Sequence, residues 1–185
     1  MKTAQTLALT SLMALALTGM ALPAQGLDFG IKATGSVPKG DLGSNEFLDS
    51  KLGYGGGVHL AIAVPGGALV PRLDYTVYEN HGNGEAKARM LQAGVDYDFY
   101  FNRDTYTGTY LGVGAGYGST RFKQDTPHLN DTPNNIFYAG QIGYMFSRHL
   151  GVEARYTYAE YKPHFSGGTP EYSSPTLNAS LILQF

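Results

Sequence analysis

From Leu27 to Phe185, apolar residues recur at every second position in blocks of about ten residues, and clusters of Gly, Pro, Asn and Asp separate the blocks. Successive side chains leave a strand on opposite faces, so this period predicts half-buried β-strands. The first block sets Leu27, Phe29, Ile31 and Ala33 against Asp28, Gly30, Lys32 and Thr34. In the fifth, Leu111, Val113, Ala115 and Tyr117 alternate with Gly112, Gly114, Gly116 and Gly118. The eighth places Leu177, Ala179, Leu181, Leu183 and Phe185 against Asn178, Ser180, Ile182 and Gln184. Blocks over 52–64, 69–78, 91–101, 136–146 and 150–158 repeat the scheme, which makes eight predicted strands. Their connections alternate in length. Segments 65–68, 102–105 and 147–149 are short, whereas roughly 37–51, 79–87, 119–134 and 162–175 are longer and polar. Short turns at one end and long loops at the other predict an all-β fold, an antiparallel up-and-down meander closed into an eight-stranded barrel.

Alternation leaves open which face is outside. A lipocalin-like barrel in water would turn its apolar face inward, and a transmembrane barrel would turn it outward. The polar face carries charges of both signs in mid-strand, namely Lys32, Arg72, Asp74, Asp96, Asp98, Glu153 and Arg155, interleaved with many glycines. A narrow lumen would bring such charges together to pair, and glycine would relieve its crowding; on a solvated outer wall neither would have a packing use. The apolar face is aliphatic at its centre. Phe29, Phe99, Phe101, Phe146 and Phe185 fall at its short-turn end, and Tyr54, Tyr117, Tyr138 and Tyr158 at its long-loop end. Two aromatic girdles around an aliphatic band mark two membrane interfaces. Both features select the transmembrane barrel.

Composition agrees with that choice. Of 185 residues, 25 are Gly, 14 Tyr and 9 Phe, and only 15% are charged, which is poor in charge and rich in glycine for a soluble domain. The formal net charge of −2 and a pI near 6.2 exclude a nucleic-acid reader, which presents a basic face. Absence of cysteine removes disulfide frameworks, thiol catalysis and Cys-ligated zinc together. The mean hydropathy of −0.18 is compatible with a membrane barrel, which shows lipid only every second residue.

Residues 1–26 carry an early lysine, an apolar stretch from Leu7 to Leu22 interrupted by Thr, Ser and Gly, and small residues at Ala24 and Gly26. This is a secretory signal peptide, too short and too interrupted for a spanning helix, with cleavage expected after Gly26 and a mature barrel over 27–185.

The last strand ends on Phe185 with Leu183, Leu181, Ala179 and Leu177 before it. It resembles the C-terminal strand of bacterial outer-membrane proteins, and 27–185 as a whole resembles the small eight-stranded barrels of the OmpA transmembrane domain, OmpX and opacity-protein type. The resemblance implies a Gram-negative outer-membrane location, with Phe185 as the signal read by the barrel-assembly machinery. It also implies contact with outer-membrane lipid and lipopolysaccharide, a monomeric state, and four surface loops for contact or adhesion. Unlike full-length OmpA, the chain is expected to stop at the barrel, without a peptidoglycan-binding domain.

The chemistry on offer is sparse. Eight strands leave a lumen that side chains fill, so the seven in-strand charges are expected to form an internal salt-bridge plug and not an ion path. Arg72 should lie close to Asp96 or Asp98, while Glu153 and Arg155 should meet Lys32 and Gln184 across the closing seam. The glycines at 112, 114, 116 and 118 should make room for Tyr100, Phe137 or Tyr110. His59, His81, His128, His149 and His164 lack paired ligand spacing, so no metal site and no cofactor are expected. His164-Phe165-Ser166 resembles the His-x-Ser motif of outer-membrane lipid A deacylases, which are also eight-stranded barrels. That resemblance implies His164 as base and Ser166 as nucleophile, oriented by a downstream Glu. The chain departs from the pattern: Gly167 stands where the family has Asn, Asn178 lies about where the acid belongs, and Glu171 is the only acid nearby. A transporter of small hydrophobic ligands would need an apolar lumen, which the Arg, Asp and Glu set opposes. The reading is a non-enzymatic envelope barrel. The refolded protein is expected to migrate on gels in a heat-modifiable way and to give a β-type circular-dichroism spectrum; a helical spectrum would sink the barrel.

Overall fold

A computed structural model describes residues 27–40, 52–80, 86–102, 107–124, 134–161 and 172–185. Alternating sequence becomes β1 (Leu27–Pro38), β2 (Gly53–Val64), β3 (Gly67–Asn80), β4 (Ala86–Asn102), β5 (Thr107–Gln124), β6 (Asn134–Met145), β7 (Leu150–Tyr161), β8 (Tyr172–Ser173) and β9 (Thr176–Gln184). Each long strand pairs antiparallel with its sequence neighbours, and β9 returns to β1, which closes the sheet on itself. The two-residue β8 is not a ninth stave. It pairs Ser173 with Glu160 of β7, and β9 pairs Thr176 with Thr157 in the same register. Only Ser174 and Pro175 interrupt the eighth strand, because proline has no N–H to give the ladder. The architecture is thus a closed barrel of eight antiparallel staves.

The seam closes at the chain end. The Phe185 N–H donates to the Phe29 carbonyl at 2.7 Å and the Phe29 N–H returns a bond to Phe185 at 3.2 Å. Between β2 and β3, Pro65 followed by Gly66 at φ 89° makes a two-residue turn, the order in which proline presets one dihedral and glycine accepts the positive one. The ladder between β4 and β5 slips near the turn, where the register shifts between Tyr100 and Asn102.

Several strands outrun the sequence expectation. β4 begins at Ala86 and β5 runs to Gln124, into the stretches expected to be loop. Above the apolar band the outward positions turn polar, with Arg89 and Arg121 exposed, while Ala88 and Met90 point inward and are buried, so the alternation reverses its sense while backbone pairing from Ala86 with Gln124 downward continues. Residues 1–26 with the expected signal peptide, the candidates His81, His128, His164, Ser166 and Glu171, and the loop aromatics Phe47 and Phe165 lie outside the described residues.

Exposure settles which face is outside. Val113, Ile142, Leu181 and the rings of Tyr117 and Tyr138 are all exposed, as are Phe101, Phe146 and Phe185 at the other end. A continuous apolar collar of that extent is untenable in water and suited to lipid. From Phe101 to Leu91, both outward on β4, ten residues at ~3.4 Å each and a tilt near ~40° give a band about 26 Å tall. That matches the hydrocarbon belt of an outer-membrane barrel. At the short-turn rim, Phe99 and Phe101 sit edge to face at 5.5 Å, and Tyr144 and Phe146 at 5.2 Å.

The inward glycines of β5 do not serve the aromatic rings in the way the spacing suggested. A Cβ on Gly112 would overlap Asp98 and Gln141, and one on Gly114 would overlap the Asp96 carboxylate. Only Gly116 makes way for Phe137, while Gly118 faces Asn135 and Tyr110 lies over Gly143 of the next strand. The carboxylates needed the space because short acidic side chains keep their charged ends close to the wall. Gly114→Val should therefore cost about 1–3 kcal/mol through overpacking, read as a lower temperature of the folded-to-unfolded gel shift. Gly140→Ala, on a glycine with open space around its missing Cβ, should change stability by less than about 0.5 kcal/mol.

Candidate functional site

The chemistry-bearing residues converge in the lumen. Arg72 on β3 is the hub. Its Nε donates to Asp74 at 2.9 Å, its Nη1 to Asp96 at 2.6 Å and to Gln141 at 3.0 Å, and its Nη2 to Glu153 at 2.9 Å. Arg155 on β7 forms a bidentate pair with Asp96, with Nη2 to Oδ1 at 3.0 Å and Nη1 to Oδ2, and also donates to Gln141. Lys32 on β1 pairs with Asp74 at 2.7 Å and with Glu153 at 3.8 Å. The Tyr110 hydroxyl of β5 donates to the second Glu153 oxygen at 3.0 Å. One connected network therefore ties β1, β3, β4, β5, β6 and β7 together through the middle of the barrel.

The placement of the sequence-predicted residues is specific. Lys32, Arg72, Asp74, Asp96, Glu153 and Arg155 meet in ion pairs. Asp98 stands apart and accepts a hydrogen bond from Gln141 Nε2 at 2.5 Å. Of the two acids considered for Arg72, it is Asp96 that pairs. Glu153 does meet Lys32 across the closing region, but Arg155 turns the other way, toward Asp96 and Gln141, and Gln184 instead bonds Asp28 at 3.3 Å. The strand order explains this. Inward side chains of a narrow barrel reach across the lumen as easily as along the wall, and Asp96 lies across it. Sequence reasoning overlooked Gln141 and the Tyr110 hydroxyl as members. The available signal for Gln141 was its place as the one polar side chain among inward-facing Phe137, Ala139, Gly143 and Met145.

Two apolar plates flank the network. Toward the short turns, Ala68, Val70, Tyr100, Tyr110 and Met145 pack together, with the two tyrosine rings 5.1 Å apart. Toward the long loops, Tyr78, Ala88, Met90, Phe137 and Ala159 form the second plate. Phe137 sits 6.0 Å from the Arg155 guanidinium, and the Tyr78 hydroxyl and Ser36 Oγ are 2.6 Å apart across β3 and β1. Between network and lower plate lies a polar cavity of ≈ 20 Å³ lined by Lys32, His59, Arg72, Asp98, Tyr110 and Glu153 among others, about the room one water needs. A continuous aqueous path does not fit that filling.

Of the histidines weighed as metal ligands, His59 and His149 are among the described residues and lie apart. His59 is buried in the lumen and His149 lies at a short turn, its Nδ1 2.9 Å from the Gln184 carbonyl. Among the described residues no cluster of three or more His, Asp and Glu is arranged to hold a metal ion. Asn178, at the position where the deacylase motif wants its acid, contacts Thr176 and Thr157 hydroxyls at 3.4 and 3.5 Å through its amide nitrogen. An uncharged amide there lacks the negative charge with which the family's acid stabilises the imidazolium.

The family model described as outer membrane protein beta-barrel domain matches residues 7–185. The chain belongs to that family. Its place is the bacterial outer membrane. Among solved structures, Neisserial surface protein A (NspA) is similar at 20% identity and TM-score 0.61, covering 89% of this chain and all of that one. Ail of Yersinia pestis, in a complex with the heparin analogue sucrose octasulfate, is similar at 15% identity and TM-score 0.60, with coverage of 86% and 99%. The outer membrane enzyme PagL shares the fold at 13% identity and TM-score 0.50, with coverage of 83% and 98%. At these identities the likeness is one of fold alone. None of the curated proteins is similar enough in sequence to match. In an outer-membrane barrel of this kind the short turns face the periplasm and the longer loops the exterior.

Removing the hub tests the site. Arg72→Ala strands Asp74, Asp96 and Glu153 with fewer cations than they need, and should destabilise the barrel by about 3–5 kcal/mol. Urea titration in lipid vesicles measures it. Because both apolar plates survive, the same variant should show no single-channel conductance in planar bilayers.

Proposed function

We propose that this protein is a non-enzymatic structural barrel of the outer membrane, which holds four loops at the cell surface for contact or adhesion. The observation that supports this most is the filled lumen: a charge network held between two apolar plates suits a rigid plug. A rigid barrel gives loops a fixed frame, and loops on fixed frames are where binding resides. The aromatics Phe47, Phe122, Phe165 and Tyr172 in and beside the loop stretches supply contact chemistry of the kind surfaces use. Ail, solved with a heparin analogue, illustrates that a barrel of this shape can bind a ligand. The partners that follow from the reading are outer-membrane lipid, lipopolysaccharide and a surface ligand, with the barrel-assembly machinery acting on the Phe185 strand.

A deacylase reading draws on one observation, the His164-Phe165-Ser166 triplet together with the PagL fold likeness. Asn178 and Gly167 weigh against it, since a serine hydroxyl needs a base that is itself held by an acid. A carrier of hydrophobic ligands is opposed by the charged middle of the lumen. The functional test is direct. Bilayers containing the intact protein should stay silent, and lipid A from expressing cells should keep all its acyl chains. Steady conductance would overturn the filled-lumen reading, and acyl loss abolished by Ser166→Ala would replace it with the hydrolase.

A further inference from the structure

Above the lipid-facing band, β4 and β5 continue as a two-stranded ladder whose register is unusual in charge. Ala93 stands opposite Tyr117 and Leu91 opposite Ser119; the next pair on that face is Arg89 with Arg121, and the register then sets Lys87 opposite Lys123. Directly opposed residues in an antiparallel pair carry their Cβ atoms about 4.5–5.5 Å apart, and like charges there repel. Both Arg89 and Arg121 are exposed on the outer wall. Among the described residues, no ion pair or hydrogen bond relieves either guanidinium. On the flanking strand β3, Arg89 meets Val77 and not an acid, and Glu79 stands one step further on, opposite Lys87. A repulsive pair that no described side chain relieves points to an anion from outside.

Depth and direction say where that anion comes from. Leu91 and the rings of Tyr75 and Tyr117 are exposed to lipid, and Arg89 lies two residues beyond Leu91, about 7 Å along the strand. The pair therefore sits at the headgroup level on the loop side of the membrane. Because it faces sideways from the barrel wall, directly above lipid-facing residues, a ligand reaches it from within the plane of the membrane. Two planar guanidinium forks side by side match a phosphate, which takes two parallel N–H···O bonds from each.

We propose that Arg89 and Arg121 form a binding site for the phosphate groups of lipid A in the outer leaflet. The proposal rests on the outer-membrane orientation above and deepens the lipopolysaccharide contact into a located site. Wild-type protein and the Arg89→Gln/Arg121→Gln variant, refolded in zwitterionic micelles, are titrated with diphosphoryl lipid A, with dephosphorylated lipid A and with inorganic phosphate, and retained lipid is counted by native mass spectrometry. Wild type should bind diphosphoryl lipid A about tenfold or more tightly than the dephosphorylated form, in a salt-dependent way, and the variant should lose that preference. Without lipid A the variant should be no less stable than wild type, since a repulsion is removed. Equal affinity of wild type for the two lipids, or an unchanged preference in the variant, overturns the site. Competition by millimolar inorganic phosphate overturns the lipid as its source. If the variant fails to fold, the wild-type comparison of the two lipids still decides. Heat-modifiable migration and silent bilayers, checked on the same samples, report on the barrel reading separately.

Discussion

Hydrocarbon offers a peptide group no hydrogen bond, so every N–H and C=O between the two aromatic girdles must find its partner within the chain. The closed ladder from β1 round to β9 meets that demand, and its closure by Phe185 on Phe29 leaves no open edge. Everything else in the molecule is a consequence of that closure. Eight staves fix a radius at which inward side chains touch those across the barrel, and an outward face of Val, Ile, Leu and aromatics follows from the solvent it meets.

A lumen of that width is a protein core with polar contents. Isolated charges in it would carry heavy desolvation costs, which are offset only when each meets an opposite charge in good geometry. Arg72, at the centre of Asp74, Asp96, Gln141 and Glu153, does so by engaging four strands at once. The network's gain in return is specificity: a shift of one strand by a single residue would turn its charges to lipid. Apolar plates on either side of the network narrow the lumen around it and favour its ion pairs. A barrel so filled has its interior committed to structure, and its interactions lie at the loops and at the membrane-facing wall.

Much of this was legible in the residues. Period two, the length alternation of connections and the two girdles sufficed for strand number, direction and the outward face, because each is a local property of residues two apart. The ends of β4 and β5 were not legible, since above the lipid band the polar residues Arg89 and Arg121 face outward and the apolar Ala88 and Met90 inward, so the lipid-facing pattern breaks off even though pairing persists. Nor was the break at Ser174 and Pro175, where the strand continues in register past a missing N–H. Arg155 was assigned to the seam with Lys32 and Gln184, yet it binds Asp96, since the choice among acids within reach depends on what lies across the lumen. The purpose of Gly112 and Gly114 was misread for the same reason: their neighbours are carboxylates, not rings.

The order of strands, the inward set of charges and the outward set of apolar residues belong to the amino-acid sequence alone, because the pleat sends alternate side chains to opposite faces whatever else the chain does. Which charge meets which, where the apolar plates flank the network and that Arg89 stands against Arg121 belong to the tertiary structure. Those depend on strand register and on the curvature that closes the sheet, and both arise from pairings between residues distant along the chain.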